Sequence, residues 1–332
     1  MALDRYGVLN PRAVERRREG ATDTPHFQIH AVDSDGEHHR IAVNVQSQQS
    51  PSELLYVLDP DLRHPVTSEL SALTPGWNAL ASQPGGASLD FIRANLFDPA
   101  QMRPLPPDVS GPDNDLADLL DHYLARGIAD PAAALYAFGQ RWGPEPQADK
   151  VFGFTPGGGV HDIHMNQGNT GQFQRDDGVW QDGAMLIHFP AEPRWVGIFL
   201  AFQSQAWHTD DVTGHALTAG PAPAQASAVQ IVAALVNPVG PAPERESVLL
   251  LNASPDAVDP SGWRIADRLK RSCPVSPGPL AAGTTLEVVV SGDVQLGNQG
   301  GTITLLDAAG LKVSGVSYTT AQAKQEGWTI VF

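Results

Sequence analysis

A chain of 332 residues is long enough for two domains of ordinary size, and at 42% hydrophobic and 17% charged it can bury a core. Its formal net charge of −16 opposes non-specific attraction to nucleic-acid phosphates and anionic membranes. The single cysteine, Cys273, excludes an internal disulfide framework; with no apolar signal core in the first 20 residues and no apolar run of about 18 residues, the expectation is a cytoplasmic protein without a membrane span.

The first 60 residues read as strands. Phe27, Ile29 and Ala31 alternate with His26, Gln28 and His30, the period of two expected of a half-buried strand. Ser34-Asp35-Gly36 marks a turn, residues 39–45 complete a hairpin, and residues 52–58 continue as an apolar strand. Proline and glycine then break residues 60–115 into short pieces. Residues 115–128 form the clearest helix. Leu116, Leu119, Leu120, Tyr123 and Leu124 share one face, and Asp113, Asn114 and Asp115 bring capping groups and negative charge to its positive end. Strands return at 135–138, 151–154, 160–166, 184–189 and 195–203, so residues 1–217 are expected to be α+β and strand-rich. Residues 218–228 are an Ala/Pro/Gly linker. Beyond it, 229–332 show short alternating strands, at 229–236, 247–251, 300–307 and 312–318, as an all-β sandwich requires.

All eleven histidines precede the linker, the last being His215, so any imidazole chemistry belongs to the larger N-terminal part. Its densest polar segment runs from His161 to Asn169. On a strand, His161, Ile163 and Met165 point one way, while Asp162, His164 and Asn166 line the other face about 7 Å apart. Gln167 and Asn169 follow. An earlier stretch echoes it: His39-Arg40-Ile41-Ala42-Val43-Asn44, then Gln46, shares the pattern His-x-Ile-x-apolar-Asn. A third polar strand end holds Gln203 and Gln205, followed by Trp207, His208, Asp210 and Asp211. Of the remaining histidines, His26, His30, His38 and His64 read as surface or structural groups and His122 as solvent-facing on the helix. Cys273 reads as structural.

Two family resemblances stand beside this reading. The tail segment Asn252-Ala253-Ser254-Pro255-Asp256, leading into Ser261-Gly262-Trp263, resembles the lamin-tail signature. That resemblance implies an immunoglobulin-like β-sandwich acting as an adaptor for a protein partner, with Trp263 as a core anchor. The N-terminal part resembles the YukJ-like bacterial proteins through Tyr6-Gly7-Val8-Leu9, Thr24-Pro25-His26-Phe27-Gln28-Ile29-His30, Pro112-Asp113-Asn114-Asp115, Tyr136-Ala137-Phe138-Gly139 and above all Gly159 to Asn169. It implies no activity.

The leading reading is a metal-dependent hydrolase, acting on phosphodiesters as a class, on a small-molecule or polymer substrate. Asp162, His164, His208 and Asp210 would ligate a divalent ion, Zn or Mn, both of which suit imidazole and carboxylate. A bound ion would lower the pKa of a hydrolytic water. His161, His164 and Asn166 would be catalytic; Asn44, Gln46, Gln167, Asn169, Gln203, Gln205 and Trp207 would bind substrate. A second reading is a non-enzymatic adaptor, with Trp180, Trp195 and Trp207 lining a ligand groove. A third is a metal-free phosphodiesterase in which His39 and His161 face each other as nucleophile and general acid. The His-x-Lys spacing of phospholipase D-type half-sites is missing, since positions 41 and 163 are both Ile.

Overall fold

A computed structural model describes residues 6–18, 26–45, 54–80, 95–98, 101–105, 115–161, 183–202, 228–240, 245–310 and 312–332. In the N-terminal part these form β1 (Tyr6–Asn10), β2 (Arg12–Arg18), β3 (His26–Val32), β4 (His38–Asn44), β5 (Leu54–Asp59), α1 (Val66–Ser71), β6 (Gly76–Ala79), β7 (Arg103–Pro104), α2 (Asp115–Ala129), β8 (Ala134–Glu145), β9 (Gly157–His161), β10 (Gly183–Phe189) and β11 (Arg194–Phe202). All eleven strands join one sheet, ordered β2-β3-β4-β9-β8-β10-β11-β5-β7, with β1 laid along β8 and carrying β6. The expected hairpin is β3–β4. Its turn is held by the Asp33 carboxylate, which accepts the N–H groups of Asp35 and Glu37 at 3.0 and 2.9 Å.

The sheet buries side chains on both faces. On one face Phe27, Ile29, Ile41, Leu135, Ile187 and Ile198 pack with Leu116, Leu120 and Leu124, the stripe expected of α2. Arg16 of β2 reaches Asp121 on the outer side of that helix at 2.9 Å. On the other face Val8, Tyr136, Phe138, Leu186 and Phe199 pack with Val66 and Leu70 of α1. His64, expected to be a surface or structural group, is buried, and its Nδ1 accepts the Val66 N–H at 3.0 Å where α1 begins.

One expected strand does not form. Residues 151–154 turn instead of extending, because the Asp149 carboxylate takes the N–H groups of Val151 and Phe152 at 3.0 and 2.8 Å and Gly153 adopts φ +78°. Those N–H groups are lost to any strand ladder, and left-handed glycine fits a turn.

The C-terminal part comprises β12 (Val229–Leu235), β13 (Ser247–Asn252), β14 (Arg264–Ala266), β15 (Ser272–Pro274), β16 (Thr285–Val289), β17 (Gly300–Leu306), β18 (Lys312–Thr319) and β19 (Ile330–Val331). Two four-stranded sheets, β16-β13-β12-β19 and β15-β14-β17-β18, share a core that includes Val248, Leu250, Ile265, Ile303 and Tyr318. Cys273 is buried there, and Trp263 packs against it partly exposed. Asn252 is 0% exposed. Its amide donates to the carbonyls of Asp256 and Leu280 at 2.7 and 2.9 Å and its Oδ1 accepts from Ser254, so one side chain organises the turn after β13.

The two parts touch through specific groups. The Asn95 amide enters the β17–β18 ladder, donating to the carbonyls of Ile303 and Val316 and to Thr304 Oγ1 at 3.1–3.3 Å, while its Oδ1 accepts from the Lys312 ammonium. Gly315 makes room: a β-carbon there would lie 2.2 Å from Asn95 Oδ1. Glu69 of α1 pairs with Arg268. Asn95→Ala leaves buried acceptors without this donor and should lower stability by about 1–3 kcal/mol. Differential scanning calorimetry checks this, and the two parts of the variant should melt as separate transitions.

Candidate functional site

Alternation along β3 and β4 sends Phe27, Ile29, Ile41 and Val43 into the α2-side core and turns His26, Gln28, Arg40 and Asn44 to the opposite face. In this antiparallel pair His26 lies opposite Asn44 and His30 opposite Arg40. β9 then joins β4 in parallel, setting Gly159 beside Arg40 and His161 beside Ala42. β8 closes on β9 antiparallel, with Gln140 opposite His161 and Trp142 opposite Gly159. Four strands from distant parts of the chain thus bring His26, Gln28, Arg40, Gln140, Trp142 and His161 to one face. Glycine is required at 159, where a β-carbon would lie 1.8 Å from the Arg40 carbonyl oxygen.

The Nε2 atoms of His26 and His161 are 3.0 Å apart, with ring planes at 82° and centroids at 4.9 Å. Beside them Arg40 is held on three sides. Its Nε donates to Asp149 Oδ2 at 2.7 Å, its Nη1 donates to Gln28 Oε1 at 3.1 Å, and its guanidinium lies 4.7 Å from the Trp142 ring. The side chains of Arg40 and Asp149 are only 11% and 2% exposed, so each charge depends on the other. Burial alone would raise the Asp149 carboxyl, but the Phe152 N–H, Arg40 and the Val151 N–H all stabilise its anion, and the balance holds it below the usual carboxylate range.

This face opens into a cavity of about 560 Å³ whose wall includes Arg40, Gln140, Arg141, Glu145, Lys150 and His161. Arg40 is matched by Asp149 and Lys150 stands with Glu145, so the wall carries cationic groups without a net excess; Arg141, opposite Val160 in the ladder, turns its guanidinium to the other face, 5.6 Å from the Trp77 ring. Paired imidazoles beside Arg40 and Lys150 can hold and pass a proton next to an anionic ligand. They can also bracket a metal ion. Two nitrogens at 2.0–2.1 Å from a tetrahedral ion lie roughly 3.3 Å apart, close to the separation seen here. Among the described residues no group of three or more His, Cys, Asp or Glu is arranged to hold a metal.

Of the catalytic, substrate-binding and metal-ligating residues of the leading reading, His161 and Asn44 are described; Trp180 of the groove reading lies outside the described residues. His161 lines the cavity wall, and Asn44 is buried opposite His26. Gln46, Asp162, His164, Asn166, Gln167, Asn169, Gln203, Gln205, Trp207, His208 and Asp210 lie outside the described residues. Four expectations need correction. His161 does not belong to an apolar face: Val160 takes the core side and His161 faces His26. His39 does not meet His161. The parallel register sets His161 beside Ala42, and His39 lies on the opposite face, its Nε2 2.9 Å from Asp33. His26, read as surface or structural, is the partner of His161. Trp195, expected to line a ligand groove, stacks on His188 at 4.4 Å and packs near Tyr136 against the α1-side core. The missed residues are His26, Gln28, Trp142 and Asp149. Only the polar alternation of His26, Gln28 and His30 marked any of them.

Residues 1–214 match a family described as "Uncharacterized conserved protein (DUF2278)". Over 213 residues the chain is 41% identical to "Uncharacterized protein YukJ" of Bacillus subtilis (strain 168), a match that spans 64% of this chain and 93% of the relative.

Removing one partner of the buried ion pair strands the other. Asp149→Ala should cost about 3–5 kcal/mol, read from urea unfolding at pH 7. Because the Asp149 pKa is depressed in the folded state, its contribution is complete above about pH 3.9 and is lost as pH falls through the lower folded value. The wild type should therefore lose more stability than the variant between pH 5 and the acid limit of the titration.

Proposed function

Because the chain belongs to the DUF2278 family, whose description carries no reaction, we propose from its own geometry that it is a hydrolase of phosphodiesters centred on His26 and His161. The observation that carries this is the 3.0 Å approach of the two Nε2 atoms at the edge of a cavity lined by Arg40 and Lys150. In this reading Lys150 draws in and holds the anionic phosphodiester. The Gln140 amide orients it. The imidazole pair holds one proton between its Nε2 atoms, and His26 fixes the tautomer of His161. Arg40 is locked by Asp149 and Gln28, so it sets the position of β4 against β9 and adds a fixed positive field.

In the metal-bound form of this reading a divalent ion, Zn or Mn, would replace the shared proton, held by His26 and His161 and completed by Asp162 and His164, which follow His161 within three residues of chain. Such an ion supplies a water of lowered pKa. The remaining donors proposed from the sequence, His208 and Asp210, stay candidates for the same shell, and Asn166, Gln167 and Asn169 for contacts to substrate.

For the C-terminal part we propose a lamin-tail-like, immunoglobulin-like sandwich that serves as an adaptor. Supporting this are its two four-stranded sheets on one core, the turn built on Asn252, and the exposure of Trp328, Val331 and Phe332 near its end. A purely non-enzymatic adaptor is the competing account of the whole chain.

The test is metal content by plasma mass spectrometry, after reconstitution with Zn or Mn, together with hydrolysis of bis(4-nitrophenyl) phosphate. Wild type should hold near-stoichiometric metal. His26→Ala and His161→Ala should lose it and lower the rate at least about 100-fold, while His122→Gln on the exposed side of α2 should match wild type. Hydrolysis without metal, still lost in both variants, would transfer the reading to a metal-free imidazole pair. Neither metal nor hydrolysis in the wild type would leave the adaptor account.

A further inference from the structure

The loop that walls the cavity is fastened to the sheet by a second pair of histidines. His30 of β3 and His38 of β4 approach through Nε2 and Nδ1 at 2.8 Å. Phe152 and Phe154 lay their rings on this pair. His30 stacks on Phe152 at 5.1 Å and on Phe154 at 5.2 Å, with planes within 24° and 13°, and His38 stacks on Phe154 at 5.6 Å. Arg17 of β2 closes the column, its guanidinium 4.9 Å from the Phe152 ring and its Nη1 donating to the Val151 carbonyl at 2.8 Å. The same short segment supplies Asp149 and Lys150 to the cavity wall and leads through Gly157 into β9, the strand that ends on His161.

A hydrogen bond between two imidazoles needs one N–H and one lone pair. A neutral pair meets that need, and so does a pair carrying one proton. A doubly protonated pair has two donors, no acceptor and two like charges in contact. The charges facing the pair do not relieve this. Glu15 and Asp149 favour protonation of His30, Arg17 opposes it, and Asp149 is already committed to Arg40, which lies opposite His30 in the ladder. Glu37 precedes His38 in the chain, and the carboxylate of Asp33 is taken by His39 and by backbone N–H groups.

We propose that the His30–His38 pair is a proton-operated latch: it holds the 149–157 loop, and with it the cavity wall, in place while at most one imidazole is protonated, and releases the loop when both are. The inference is independent of what the cavity binds, since it concerns only how the wall is fastened.

The direction with pH follows from the linkage. Burial first, and the neighbouring His38 second, hold the His30 pKa below its ordinary value. A histidine with a depressed folded pKa contributes stability that is complete above about pH 6.5 and is lost as pH falls below that value toward the folded pKa. The latch is therefore closed at pH 7.5 and opens in mildly acidic solution.

Hydrogen exchange of the full chain, read by mass spectrometry on peptides spanning 149–157 and corrected for intrinsic rates, tests this at pH 7.5 and pH 5.5. Protection should fall about tenfold in the wild type, the scale of one lost hydrogen bond. In His38→Gln, whose amide can still bond His30 without titrating, protection should change less than twofold over the same interval. Unchanged wild-type protection would overturn the latch by itself, without any variant. A tenfold loss that persists in His38→Gln would overturn it as well, because the titrating group would then lie elsewhere.

Discussion

The buried ion pair of Arg40 and Asp149 is the constraint on which the candidate site depends. Neither charge is tolerable alone at such low exposure, so the two must meet, and their meeting fixes which pieces of chain become neighbours. Arg40 belongs to β4 and brings Gln28 of β3 and Trp142 of β8 into contact with it. Asp149 spends its other oxygen on the N–H groups of Val151 and Phe152 and so bends the chain just ahead of β9. That bend returns Gly157 to His161 alongside β4 in parallel, a pairing that stands out in a sheet otherwise paired antiparallel among the described strands. His161 reaches His26 because of this return. The histidine pair follows from the ion pair, and the glycine at 159 is the steric condition that lets the strands close.

Much of the fold was legible along the chain because it rests on local periodicity. The stripe of Leu116, Leu120 and Leu124 marks α2, and the alternation around Ile29 and Ile41 marks the β3–β4 hairpin, since these patterns need only the sheet or helix they lie on. The site was less legible because its contacts join residues far apart: His26 with His161, Arg40 with Asp149. A row of His26, Gln28 and His30 looks the same whether it faces water or a cavity. Residues 151–154 looked like a strand because Val and Phe favour one, yet an aspartate two positions earlier offered their N–H groups a competing partner. The echo between residues 39–44 and 161–166 set His39 level with His161; of its second half only His161 is among the described residues, in β9 alongside β4. Their register is offset by three residues, which sends His39 to the other face and gives His161 a partner the echo did not contain.

The tail is seated on the N-terminal part rather than merely tethered to it. Asn95 and Glu69, both within the residues that match the family, make side-chain contacts to β17, β18 and Arg268. Gly315 is shaped to that contact, since any side chain there would displace the Asn95 amide. A partner bound to the sandwich where Trp328, Val331 and Phe332 are exposed would be held at a set position relative to the cavity. Charge follows the same division of labour. The chain is strongly acidic, but Lys150 and the Asp149-paired Arg40 bring cationic groups to the wall where an anion would enter.

The central claim is that His26 and His161 converge on one chemical centre. Anomalous diffraction from crystals grown with zinc, collected on both sides of the zinc absorption edge, tests it most directly. The account predicts a single strong peak about 2.0–2.1 Å from the Nε2 atoms of both residues. A peak bound elsewhere, or none with the two rings turned apart, would contradict it.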